Sequence, residues 1–482
     1  MATLATDEEQ LIITGKETMK IDYLIIGSTG AGAIASEVKL AMAFERAGYS
    51  AAIASHWAPA HRAVLARSVQ SFDLETPMRE VQLSEQLDEA IRQMESRLSI
   101  PSIRDFCFPE SRYAFVPTQA LFARAVRTFL ITERFLDEHK IGAIVTGPGA
   151  EIPVRCFLEA ARKRGIPMVY MAAALGLFSD RMFLHAQEHQ VLEDYRYIPY
   201  DDIEPRERTA IHELLEDIRD KRRVLTQRNR DINDRALGHI ATVLSHFRRK
   251  DWHRLYVTWQ FYVHNRVYAA IRGIAARAFY RRFDPNCPYV FFPLHLYNDS
   301  QISVRNPHMF QQTWIVEYLA RSLPQGYKLY VKGHPGCPQD RLRNLAAMAR
   351  LENVVLLDPS VNAHKIAMSA RAVAVINSTA GAEALIHRKP VIALGNWELK
   401  HLGITFDVDD LSNLARIVRD AIDSPPIDES KLCSVFYSIR QAMYPGNIFA
   451  REPEYDTVAN SLIRKVSLVR SQIALHADNV IV

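Results

Sequence analysis

Apolar residues along this chain gather in short runs of four or five, and the runs end in small polar residues. Four of them, at 328–331, 354–357, 372–376 and 391–394, alternate with amphipathic or polar segments. Runs of this length without period-two alternation predict strands of a parallel sheet buried on both faces. Lys332-Gly333-His334-Pro335 follows the first run and Asn377-Ser378-Thr379-Ala380-Gly381 the third, after which 382–387 reads as a helix opening. Strand, small polar turn and helix start make an anion site, because unsatisfied backbone N–H groups and the helix dipole converge there.

The same rhythm appears near the start. Residues 23–26 predict a strand, Gly27-Ser28-Thr29-Gly30-Ala31-Gly32 a turn, 33–47 a helix and 50–54 the next strand. The glycine spacing is not that of a dinucleotide fingerprint, and no acid is well placed after the second strand. A tight βα turn accounts for these glycines, and so does a loop that lets a substrate approach the backbone. Gly30 and Gly32 are therefore candidate acceptor-side positions. Glu37, in the first turns of the helix, is either solvated or reaches the cleft. Residues 57–111 read as polar helices broken at Ile100-Pro101 and Phe108-Pro109. Then come a helix at 121–139, a strand at 141–145 ending in Thr146-Gly147-Pro148-Gly149, a helix at 153–164 and a strand at 168–171. Residues 1–200 are thus expected to form one doubly wound domain, with Gly147 in a second loop on its ligand side.

At 482 residues the chain is too long for one ordinary core. With 48% hydrophobic and 24% charged residues it is neither disordered nor fibrous. A net charge of +4 does not point to nucleic acid. The five cysteines are scattered without a CxxC spacing, which argues against a disulfide framework or zinc site. The first residues lack the apolar core of a signal peptide, and no apolar run reaches the roughly 18 residues of a membrane span. The expectation is a cytoplasmic protein, free to lie on the inner face of the membrane.

The charge is uneven. From 219 to 284 there are 16 Lys and Arg against 5 Asp, a local +11, which leaves about −7 for the rest of the +4 chain. Aromatic residues such as Trp252, Tyr256, Trp259 and Tyr262 are interleaved. Residues 201–285 read as a helical insertion. It either packs its aromatics on the body, or lays the stretch from Arg219 to Arg282 on anionic lipid or an acidic partner. Residues 289–293 open a second α/β domain spanning 286–425, with helices at 310–322 and 411–422. A closing segment, 426–482, carries a long helix at 456–475 that braces the first domain. Asp407-Val408-Asp409-Asp410 is a literal D-x-D, but acids just before a helix are explained by capping, so no metal is expected.

Taken together, FFPLH, LPQGYKLYVKGHPG, LLDPS and INSTAGAEALIHRKPVIALG resemble the capsule-polysaccharide biosynthesis family of glycosyltransferases. That family includes 3-deoxy-manno-octulosonate (Kdo) transferases, and the His-Pro and Ser-Thr pairs look more distantly like those of sialyltransferases that use CMP-sugars. The resemblance runs over 289–396 and, more loosely, 141–194. It implies an α/β, GT-B fold: two Rossmann-like doubly wound domains facing across a cleft. It also implies that His334 and Pro335 contact the nucleotide, that Ser378 and Thr379 hold phosphate, that Lys332 is the Lys of KxHP, and that Glu383 faces the ribose. Asn377 and Gly381 complete that turn. The sequence departs from the family where Asp299 stands for Glu, Asn298 for Pro, and Gly333 for Glu. Asp299 is the first candidate for the acid/base group, and Glu37, from the facing domain, is the second. The expected activity is transfer of a sugar from a nucleotide-activated donor, such as CMP-Kdo, to a capsule or other surface polysaccharide or glycolipid, without metal or cofactor. A polyol-phosphate transferase, a GT-B epimerase and an inactive scaffold for capsule assembly are the alternatives.

Overall fold

Apolar runs become strands because both faces of each sheet are covered. In the computed structural model, which describes residues 19–27, 31–83, 86–111, 117–147, 149–173, 177–188, 192–220, 247, 273–296, 299–334 and 342–479, two sheets hold the chain together. The first uses β1 (Met19–Ile26), β2 (Ala51–Ser55), β3 (Ser71–Asp73), β4 (His139–Thr146), β5 (Met168–Ala172) and β6 (Arg181–His185). The first five are parallel, in the order β3-β2-β1-β4-β5, and β6 follows antiparallel to β5. The second sheet uses β7 (Tyr289–Pro293), β8 (Lys328–Lys332), β9 (Val354–Leu357), β10 (Ala372–Val375), β11 (Val391–Ala393) and β12 (Phe406–Asp407). All six are parallel, in the order β12-β11-β10-β7-β8-β9. Counted from its own first strand, each sheet runs 3-2-1-4-5-6, the doubly wound order of a Rossmann domain. Two such domains are the GT-B architecture.

The long helix Tyr455–Asn479 returns to the first domain. Before it, β13 (Tyr444–Pro445) pairs antiparallel with β6. Tyr455 Oη donates to Ser36 Oγ at 3.2 Å on the helix Ala31–Arg46. Lys465, only 2% exposed, reaches Glu193 and Asp194 at 2.9 Å each, so a buried cation is matched by two carboxylates. One continuous apolar cluster joins the two sheets. It takes Ala172, Phe178 and Phe183 from the first domain, Ile211, Leu215 and Ile218 from the helix Pro205–Asp220, and Tyr289, Phe291 and Val373 from the second sheet.

Several elements differ from the sequence expectation. β3, β6, β12 and β13 are two to five residues long and have no apolar run to announce them. The helix after β10 opens at Thr379 rather than 382. The stretch expected as one helix at 411–422 is a 3-10 turn, Leu411–Asn413, followed by the helix Leu414–Asp423. Most of the basic stretch between Arg219 and Arg282 lies outside the described residues. Arg219 itself is engaged within the protein. Its guanidinium holds Glu429 with two bonds of 2.9 Å and donates through Nε to the Ile386 carbonyl at 2.6 Å.

Candidate functional site

In a doubly wound sheet the strand order reverses between the first and fourth strands, and a crevice opens at their carboxyl ends. In the second domain this switch point lies between β7 and β10. Leu294-His295 follows β7, and Ile376-Asn377-Ser378 follows β10. Ser378 is extended, with φ −93° and ψ 146°, and its hydroxyl accepts the Ala380 N–H at 3.2 Å. It is therefore the N-cap of the helix Thr379–Ile386, whose first N–H groups and dipole face the crevice. Gly381 in the first turn lets Trp397 pack against the helix, since a Cβ there would stand 2.7 Å from the indole ring. Glu383 is buried one turn along.

The β7 end is pinned by amides. Gln312 accepts the His295 N–H at 2.7 Å and donates to the His295 carbonyl at 3.1 Å, fixing the backbone where the imidazole projects. Burial pushes the His295 pKa down to about 4, with the His334 charge adding to the effect and Asp299 opposing it, so the ring is neutral near pH 7. Asp299 is the N-cap of the short helix Ser300–Ser303, and its Oδ1 accepts the Gln301 N–H at 3.0 Å. Capping engages one carboxylate oxygen, a contact the sequence pattern does not announce, and it is compatible with the acid/base role expected of Asp299.

At the β8 end, Lys332 is 4% exposed and donates to the Gly333 carbonyl at 3.4 Å. Burial lowers its pKa, while Asp358 opposes the shift. His334 lies at the rim with one side open to solvent. Partial desolvation and the Lys332 charge lower its pKa, so its imidazole is neutral near pH 7 and offers an N–H to an anion. Pro335 is outside the described residues. The structure thus places Lys332 and His334 at the end of β8 and Asn377, Ser378, Thr379, Gly381 and Glu383 after β10, with β7 between the two strands.

Across the cleft, Gly147 follows β4, and an added Cβ there would meet open space. Gly32 lies in the first turn of the helix Ala31–Arg46, Glu37 is half-buried in the second turn, and Gly30 is outside the described residues. The D-x-D is taken up by its own neighbours. Asp407 accepts Thr405 Oγ1 at 2.7 Å, Asp409 pairs with Lys400 at 2.9 Å, and Asp410 caps the 3-10 turn. Capping therefore explains only the last acid. Among the described residues no group of three or more His, Cys, Asp or Glu is placed to hold a metal ion.

Asn377 was expected in this turn, but the amides it meets behind the crevice were not. Asn377 Nδ2 donates to the Gln301 carbonyl at 3.0 Å and to Gln301 Oε1 at 2.9 Å. Asn306, fully buried, donates to the Gln301 carbonyl at 2.9 Å and accepts the Asn396 N–H at 2.7 Å. Arg305 donates to Gln301 Oε1 at 3.0 Å. The only local signal for them was a polar run, Asp299-Ser300-Gln301 and Arg305-Asn306, interrupting an otherwise apolar domain.

Comparison with known proteins adds to this geometry. Residues 206–420, which contain the whole second sheet, match the family described as "Capsule polysaccharide biosynthesis protein". Over 126 residues the chain is 32% identical to the "Capsule polysaccharide export protein KpsS" of Escherichia coli; the match covers 24% of this chain. It spans about a third of that relative's length, 32%. Among solved structures, the chain is similar to a Thermosulfurimonas dismutans KpsC, beta Kdo 2,4 transferase, at 15% identity and a TM-score of 0.36. That likeness covers 68% of this chain and 88% of the other. A beta Kdo 2,7 transferase KpsC from the same organism gives 13% identity and a TM-score of 0.33, covering 73% of this chain and 97% of the other.

Proposed function

We propose that this chain, whose 206–420 segment carries the capsule polysaccharide biosynthesis pattern, is a GT-B glycosyltransferase that moves a sugar from a nucleotide-activated donor to a glycan or glycolipid acceptor. One observation carries the reading. The Ser378-capped helix opens at the switch point of the second sheet, and Lys332 and His334 follow β8, the strand on the other side of β7. In such a transfer the bond between the anomeric carbon and the phosphate oxygen breaks, and a bond to the acceptor oxygen forms. The acceptor's proton passes to a base, and negative charge grows on the departing phosphate. Helix N–H groups, the Ser378 and Thr379 hydroxyls, the Lys332 ammonium and the His334 N–H are suited to stabilise that charge. They do so in this reading without a metal ion.

The donor class follows from charge. Among the described residues, Lys332 is a buried cation at the end of β8 and Arg305 is already engaged, while Asp299, Asp358, Glu383 and Glu398 are nearby acids. A single phosphodiester charge suits that balance better than a diphosphate, which favours a CMP-sugar, such as CMP-Kdo, over a UDP-sugar. Asp299, or Glu37 from the facing domain, takes the acceptor proton. In this reading the protein works at the inner face of the membrane, where the basic stretch up to Arg282 meets anionic lipid. No described helix is long and apolar enough to cross the bilayer.

Thermal unfolding with CMP, CDP, UDP and GDP tests the site. CMP at a hundredfold excess over its Kd should add about 2.7 kcal/mol of stability, and His334→Ala should remove that gain. If none of the four nucleotides stabilises the protein, the reading is overturned. A second reading, an inactive scaffold for capsule assembly, is favoured by the capping role of Asp299. It predicts CMP binding without turnover or hydrolysis of a CMP-sugar.

A further inference from the structure

Arg305 is a long cation with almost no contact with water; 2% of it is exposed. Burying a guanidinium is costly, and an apolar brace of similar volume would hold two elements together at lower cost. Burial lowers its pKa, and Glu398, Glu188 and Asp299 lie near enough to oppose that shift. Its hydrogen bonds go in two directions. Nη1 donates to Gln301 Oε1 at 3.0 Å in the second domain, and Nε donates to the Glu188 main-chain carbonyl at 3.2 Å, just beyond β6 of the first. The guanidinium is a rigid planar fork, so these two acceptors are held in fixed relation to each other.

Gln301 Oε1 is a shared acceptor. It also receives Asn377 Nδ2 at 2.9 Å, and Asn377 immediately precedes the Ser378 cap. The Ser300–Ser303 helix that carries Gln301 begins at Asp299 and is tied through Asn306 to the end of β11 at Asn396. A ligand that shifts Asn377 or the start of the Thr379–Ile386 helix therefore acts on the oxygen that orients Arg305.

We propose that Arg305 is a positioning residue that joins the nucleotide seat of the second domain to the Glu188 segment of the first, through the shared oxygen of Gln301. The inference rests on the nucleotide reading above. Donor binding then brings the acceptor-side domain into register, and the two halves of the cleft are coupled before any chemistry takes place. Coupling of this kind is worth about 5- to 150-fold in an equilibrium constant.

Hydrogen exchange on the full chain, with and without saturating CMP, tests it. In the wild type CMP should slow exchange at 377–386 and also at 183–188. Arg305→Lys keeps the charge but not the fork, and Gln301→Leu removes the shared acceptor. Both should retain protection at 377–386 and lose it at 183–188. Gln301→Glu, which still accepts from both donors, should restore the distant protection, a rescue that a merely structural role does not predict. If Arg305→Lys does not fold, the two Gln301 variants decide. Distant protection that persists in Gln301→Leu, or fails to return in Gln301→Glu, overturns the coupling. So does wild-type protection confined to 377–386, which leaves the nucleotide reading standing. CMP protection at neither segment overturns both.

Discussion

Asn377 gives both hydrogens of its amide to Gln301, one to the main-chain carbonyl at 3.0 Å and one to the side-chain oxygen at 2.9 Å. The end of β10 is thereby tied to the loop that follows β7, across the point where the strand order reverses. Asn377→Asp tests that tie. A carboxylate next to a helix start is ordinarily favourable, but here it would replace two donors with an acceptor facing two oxygens. The variant should lose about 1–3 kcal/mol in urea unfolding, the cost of leaving buried polar groups unpaired. Wild-type stability in Asn377→Asp would show that the pair does not hold the strand end.

Ser378 has two roles that substitution can separate. Ser378→Ala removes the cap and should cost about 1 kcal/mol of stability. Ser378→Asp keeps a capping oxygen but places a negative charge where a phosphate would sit. It should unfold at the wild-type denaturant concentration and yet show no binding of CMP by calorimetry. Retained CMP affinity in Ser378→Asp would mean that the phosphate lies elsewhere.

His295 links the site to pH. Its pKa is held near 4 in the folded chain, against about 6.5 when unfolded, so the unfolded state binds the extra proton between those values. The group's contribution to stability is complete above about pH 6.5 and is lost progressively as the pH falls toward 4. Its full size is on the order of 3 kcal/mol. His295→Gln should therefore flatten the fall in urea midpoint between pH 7 and 4.5 relative to wild type. An unchanged slope would mean that the ring is not held neutral by burial.

Gly381 occupies a helix turn where alanine is intrinsically preferred by about 1 kcal/mol. A Cβ there would stand 2.7 Å from the Trp397 ring and 2.9 Å from Val375. Overpacking of that kind costs about 1–3 kcal/mol, so Gly381→Ala should be net destabilising. Adding Trp397→Phe, which shortens the ring edge, should recover part of the loss. A stabilised Gly381→Ala would show that the indole moves freely.

Much of this architecture could be read locally. The runs at 289–293 and 354–357 are strands over those same residues, and the polar turn after β10 marks a helix start. Asp299 shows the limit of such reading. Its sequence neighbours, Ser300 and Gln301, fit a helix cap as well as a catalytic carboxylate, and the Gln301 N–H bond to Oδ1 is compatible with both. β13 was not legible because it depends on β6, and β6 in turn on β5. Met182 pairs with Tyr444, a residue far along the chain, and neither short segment carries a pattern of its own.

The sequence by itself determined the strands that carry an apolar run, where the tight turns fall, and that a capped helix start would follow β10. Run length, glycine and capping residues act on neighbours within a turn or two. Only the tertiary structure decided the 3-2-1-4-5-6 order of both sheets, the shared oxygen of Gln301, and the reach of Arg305 to Glu188, 117 positions away. Those depend on which buried polar groups meet once the sheets have closed, and an amide or guanidinium takes its partners from whatever the packing brings within about 3 Å.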